Sequence, residues 1–109
     1  MATITELTER VEQVSAIYAA RCEIRRDPDW YALKLQEEAG ELVAEYLRGS
    51  GRGRVGERSE ATIRQSLEDE AADLLAQLLL FCRHNSIDVE AALERKWFVY
   101  LGSGEASAQ

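Results

Sequence analysis

Apolar residues recur at Ile4, Leu7, Val11, Val14, Ala16, Ile17 and Tyr18, and these spacings of three and four predict a first helix from Ile4 to about Ile24. Asp27-Pro28-Asp29 interrupts the pattern, because proline disfavours helical geometry in the residue before it. The same tripeptide opens a helix well, with Asp27 as N-cap and Pro28 at the first helical position, so a second helix is expected from Pro28 to Arg48. Its main apolar stripe is Leu35, Ala39, Leu42, Val43 and Tyr46. A third helix is capped by Ser59 or Ser66, runs to about Arg83, and finds in Asn85 a residue suited to a left-handed stop. Asp88 caps a fourth, which carries Val89, Ala92, Leu93 and Trp97 to about Tyr100. The pattern is all-α: a four-helix, bundle-like domain over residues 1–101, with a small polar tail, 102–109, that lacks packing residues.

Between helices two and three, Gly49-Ser50-Gly51-Arg52-Gly53-Arg54-Val55-Gly56 has almost no apolar surface and reads as a basic, mobile loop. It stands out because the chain of 109 residues has a formal charge of -7, which excludes a general binder of nucleic-acid polymers. An acidic protein that handles phosphates therefore needs a metal or a local basic segment. Cys22 and Cys82 are isolated, form no zinc pattern with the single His84, and read as free thiols of a cytoplasmic protein. The densest apolar stretch, Leu74 to Cys82, is broken by Gln77 and is too short to cross a membrane. A domain this small buries a limited share of its surface alone, so association into a homodimer or higher homo-oligomer is expected.

The candidate chemistry lies in two acidic clusters. Glu37-Glu38-Ala39-Gly40-Glu41 falls in helix two and Glu70-Ala71-Ala72-Asp73 in helix three. At roughly 100° per residue each cluster aims its carboxylates into one sector of its helix. Acidic runs on helices commonly form solvated faces, but Glu70 shares its face with Ile63, Leu67, Leu74 and Phe81, and a carboxylate inside an apolar stripe needs a partner. If the two helices pack side by side, the converging charges need a cation, and all-oxygen ligation suits magnesium or manganese. Ala39, Gly40, Ala71 and Ala72 would allow the close backbone approach such sharing requires; Gly40, costly in a helix interior, hints at the same.

Lys34-Leu35-Gln36-Glu37-Glu38-Ala39-Gly40-Glu41-Leu42, followed by Glu70-Ala71-Ala72-Asp73-Leu74-Leu75, resembles the all-alpha nucleotide pyrophosphohydrolase superfamily. The resemblance covers about Trp30 to Trp97, is strongest to the MazG-like branch, and extends to phosphoribosyl-ATP pyrophosphohydrolases. It implies a fold of that superfamily's type, completed by oligomerisation. It also implies cleavage of a nucleoside triphosphate between its α and β phosphates, giving a monophosphate and pyrophosphate, with house-cleaning of non-standard nucleotides as an expected role. Carried over by position, Glu38, Glu41, Glu70 and Asp73 would ligate Mg2+ or Mn2+. Glu37 would be the catalytic carboxylate that helps bind a further metal or orients and deprotonates water.

Lys34, Lys96, Arg52, Arg54 and Arg58 are candidates for substrate phosphates, and Trp30 for stacking on a base. Loop solvation and core packing are the competing readings of these residues. Trp97, Phe98 and Tyr100 are expected to pack on another helix or a second subunit, and His84 to act as a helix-terminal charge partner. Two alternatives stand beside triphosphate hydrolysis: hydrolysis of phosphoribosyl-ATP in histidine synthesis, which the loop does not obviously match, and a non-catalytic helical interaction module.

Overall fold

The computed structural model describes residues 1–52 and 55–102; Arg54 and most of the predicted tail lie outside these residues. Helices α1 (Ile4–Cys22), α2 (Pro28–Gly49) and α3 (Glu60–His84) are followed by α4 (Val89–Leu93), which passes through a π-helical turn (Glu94–Phe98) into α5 (Val99–Gly102). The described residues contain no strand. The predicted fourth helix is thus one near-continuous segment with a widened turn inside it.

The ends are set by local chemistry. Thr3 and Glu6 form a reciprocal capping box on α1, and Asp27 accepts from Trp30 N–H at 2.9 Å to start α2. Of the two candidate caps for α3, Ser59 is the one used, accepting from Thr62 N–H. Asn85 does not take the left-handed conformation expected of it. It stays at φ -96 because both its backbone N–H and its Nδ2 donate to Phe81 O, and Ser86, at φ 56, makes the reversal instead.

Helices α2 and α3 form an antiparallel hairpin in contact along its length, and α1 leans on α3. Arg26, in the α1–α2 connection, fixes the entry to α2: it donates to both carboxylate oxygens of Glu12 at 2.9 and 3.0 Å, and its guanidinium lies 5.9 Å from the Tyr31 ring centre. Arg83 of α3 adds ion pairs to Glu9 and Glu12. His84, a basic residue in the last turn of α3 as expected, also stacks its ring on Tyr31 at 4.3 Å, fastening the ends of the hairpin.

The core is small, with Ala19, Tyr31, Ile63, Leu79, Leu80 and Cys82 as its buried apolar residues. The radius of gyration is 17.4 Å, against about 13 Å for a compact domain of this length. The helices spread over 51 × 37 × 28 Å, and this open arrangement leaves apolar side chains exposed. Val14, Ile17 and Tyr18 on α1, Leu33, Val43 and Tyr46 on α2, and Trp97 through Leu101 on the last segment all remain open. No described helix is long and apolar enough to cross a membrane.

Candidate functional site: a carboxylate cluster between two helices

The residues that α2 buries most deeply are Tyr31, Glu38 and Glu45. They are seven residues apart, so they fall on one line of the helix, and that line faces α3. Of the apolar stripe read from the sequence, Leu35, Ala39 and Leu42 are half-buried beside that line, and Val43 and Tyr46 turn outward. Val43 and Tyr46 are each 55 % exposed, while Glu38 is 9 % and Glu45 8 % exposed. The most deeply buried line of α2 therefore carries two acids, and the Val43 and Tyr46 edge looks outward.

Cross-contacts fix the register. A Cβ added at Gly49 would lie 3.6 Å from Ile63 Cγ2, Glu38 meets Glu70 and Asp73, and Tyr31 meets His84. Moving toward the α2–α3 loop, this register sets Glu41 by Glu70 and Glu45 by Leu67. Carboxylate oxygens of Glu38, Glu70 and Asp73 lie within 4.8 Å of one another, as do those of Glu37, Glu38 and Glu41. Glu38 belongs to both triplets. The five acids singled out in the sequence are thus brought together, with Glu38 buried, Glu70 half-buried, and Glu37, Glu41 and Asp73 exposed at the mouth.

Such crowding changes the acids themselves. Burial pushes the Glu38 carboxyl above the usual carboxylate range, and Glu41 and Asp73 push it further, with only Lys34 opposing them. Glu70 rises for the same reasons, burial first and then Glu41, Asp73 and Glu38. Lys34 bonds Glu37 Oε1 at 3.0 Å and lies 3.6 Å from Glu38 Oε2. Burial disfavours its charge, but the two glutamates outweigh that and raise its pKa. One lysine cannot neutralise five carboxylates, and the buried Oε1 atoms of Glu38 and Glu70 have no hydrogen-bond donor. Orphaned anionic oxygens in an all-carboxylate setting match the needs of a hard divalent cation.

Other candidates are placed less centrally. Lys34 sits at the cluster's edge, already paired. Trp30 packs edge-on against Tyr31 at the start of α2, half-buried and outside both triplets. Lys96 lies on the exposed π-helical turn, which makes no extended contact with α2 or α3. Arg52 is exposed just past α2, and Arg54 is outside the described residues. Gly40 does not mark a close helix approach: a Cβ there would meet nothing within 4 Å.

Two further polar groups share the seam. Glu45 is buried and paired with Arg48 and, at 3.6 Å, with Arg58. Gln77, one turn beyond Asp73, has a buried Oε1 without a donor. Its sequence signal was its intrusion into an apolar run; Glu45 gave none beyond following Glu41 by four. Comparison of the chain with protein-family models, with curated proteins and with solved structures finds no match.

Proposed function

We propose that this chain is a metal-dependent nucleotide pyrophosphohydrolase that cleaves a nucleoside triphosphate to a monophosphate and pyrophosphate. The observation that carries the reading is the meeting of five carboxylates from two helices, two of them with buried oxygens that lack any donor. The resemblance of the two acidic motifs to the all-alpha pyrophosphohydrolases supports the same conclusion.

Glu38, Glu41, Glu70 and Asp73 would hold Mg2+ or Mn2+. When bound, the metal supplies charge neutralisation for the phosphates and a water of lowered pKa. Glu37, exposed and oriented by Lys34, accepts the proton of the attacking water. The water oxygen bonds to the α-phosphorus, the bond from that phosphorus to the α–β bridging oxygen breaks, and the bridging oxygen leaves on pyrophosphate. The decisive assay is pyrophosphate release across a nucleotide panel, phosphoribosyl-ATP included, with Mg2+ or Mn2+ added. Activity lost in Glu38→Gln and Asp73→Asn, with the fold retained, upholds the reading; activity equal to the parent's removes it.

The assembly that fits this protomer is a homo-oligomer. The apolar face of α2 and the open face of α1 bury little within one chain, and exposed patches of this kind mark association surfaces. A second copy would also complete the core that the hairpin leaves thin.

A further inference from the structure

Ile63, Glu70, Gln77 and His84 of α3 are seven residues apart, so they fall within about 60° of one another on a single line of the helix. Three of the four have a counterpart on α2: Ile63 reaches Gly49, Glu70 shares the cluster with Glu38, and His84 stacks on Tyr31. Gln77 therefore stands between the His84–Tyr31 stack and the Glu38–Glu70 pair. It closes the end of the carboxylate cluster that lies away from the loop, about 6 Å along the helix axis from Asp73.

The Oε1 atom of Gln77 is fully buried and accepts no hydrogen bond, and the same is true of Oε1 of Glu38 and Oε1 of Glu70. Buried polar atoms of folded proteins are nearly all paired, so three orphaned acceptors on one seam ask for a common explanation. Space-filling is not it. Leu78, Leu79 and Leu80 follow directly, and a further apolar side chain of similar volume would close the seam without burying an amide.

No donor of the chain meets these oxygens. Lys34 is spent on Glu37 Oε1 at 3.0 Å and lies 3.6 Å from the other oxygen of Glu38, Oε2, while the peptide N–H groups are used within the helices. A water molecule is small enough to enter and has two protons to give, one to the amide oxygen and one to a carboxylate. Its own lone pair then needs a positive partner among groups that are all acceptors. That partner is a cation, and hard divalent ions keep part of their water shell when carboxylates bind them.

We infer that Gln77 is a positioning residue of the metal centre, its Oε1 accepting a hydrogen bond from a water in the shell of the cation that Glu38 and Glu70 hold. The assignment rests on the metal-dependent reading of the cluster. It adds to that reading a neutral acceptor, which strengthens the hold on the cation without adding to the repulsion among the acids.

The test compares the full chain with Gln77→Met, which keeps the length of the side chain and removes the acceptor. Thermal unfolding is followed in chelator, and Mn2+ affinity is measured from the paramagnetic resonance of the free ion. In chelator Gln77→Met should melt above the parent by roughly 5 °C, because an unsatisfied buried carbonyl is gone. Its Mn2+ affinity should nonetheless fall about 10- to 100-fold, the usual effect of losing an outer partner of a metal site. Gln77→Glu, which restores an oxygen at the same reach, should recover Mn2+ binding while melting below the parent in chelator. Parental Mn2+ affinity in Gln77→Met overturns the assignment and leaves the glutamine a packing residue. So does a Gln77→Met that melts below the parent in chelator, since the amide was then satisfied without a cation, or a Gln77→Glu that fails to recover binding. Failure of the wider reading looks different: the parent itself binds no Mn2+ and Glu38→Gln changes nothing, which removes both.

Discussion

Replacing Glu38 by glutamine should stabilise the metal-free protein and destroy its response to divalent cations, two effects of opposite sign from one isosteric change. Glu38 lies within 4.8 Å of acids on both helices. At an effective permittivity of about 20, two unit charges at that distance repel by about 3.5 kcal/mol. Lys34, at 3.6 Å, offsets part of this, and water at the exposed Glu41 and Asp73 screens more, leaving a net gain of about 1–2 kcal/mol on neutralisation. For a domain of this size that is a rise of roughly 5–10 °C in melting temperature. In the parent, a cation held at a hundred times its dissociation constant adds about 2.7 kcal/mol, a rise of roughly 10 °C or more. Thermal unfolding followed by circular dichroism, in chelator and across Mn2+ concentrations, therefore gives two curves that cross: Glu38→Gln starts higher and ends lower. A variant that melts below the parent in chelator, or that gains as much from Mn2+, refutes the account of the seam as a site of unrelieved repulsion.

Gly40→Ala should raise stability by about 1 kcal/mol through helix propensity, since the added methyl meets nothing within 4 Å; denaturant titration checks it, and a loss would place another surface against Gly40. The Glu12–Arg26 pair makes stability depend on acid. Its hydrogen bonds to Arg26 hold the Glu12 carboxyl below the usual range, so its contribution is complete above the unfolded-state pKa and is lost as pH falls through the lower, folded one. Glu12→Gln should cost about 1–2 kcal/mol at neutral pH and flatten the acid limb of a stability profile; a parallel profile would show the pair to be idle. Tyr46→Glu, on the outward face of α2, should shift sedimentation toward monomer while leaving the helical spectrum intact, and an unchanged mass would move the interface elsewhere.

Much of the helical plan was legible because it depends on neighbours in sequence. Thr3, Asp27, Ser59 and Asp88 cap their helices by bonds spanning three residues, and such local chemistry is written in the order of the residues. The convergence of the two acidic motifs was legible as well, through their spacing and through Glu70 standing in an apolar stripe. What could not be read was which face of α2 turns inward. An amphipathic helix ordinarily buries its apolar side, and that rule points Leu35, Ala39, Leu42, Val43 and Tyr46 at the core. Here the inward line is Tyr31, Glu38 and Glu45, an orientation that a lone chain would pay for in buried charge.

Two features of the fold make that orientation intelligible together. Carboxylates from α2 and α3 can meet only if their acidic lines face each other across the hairpin, and doing so necessarily turns the apolar edge of α2 outward, where Val43 and Tyr46 are found. The unfavourable interior and the unfavourable exterior are thus one structural choice seen from two sides. On the proposed reading, a cation would relieve the first by supplying the charge that Lys34 alone cannot, and a second copy of the chain would relieve the second by covering those exposed side chains. Stability gained at the outer face would then sustain the repulsion at the inner one that Lys34 only partly offsets. On this argument the two should be linked: a protomer kept monomeric should hold its acids less firmly in register and bind Mn2+ more weakly, whereas equal affinity in monomer and oligomer would show that the hairpin holds its register alone.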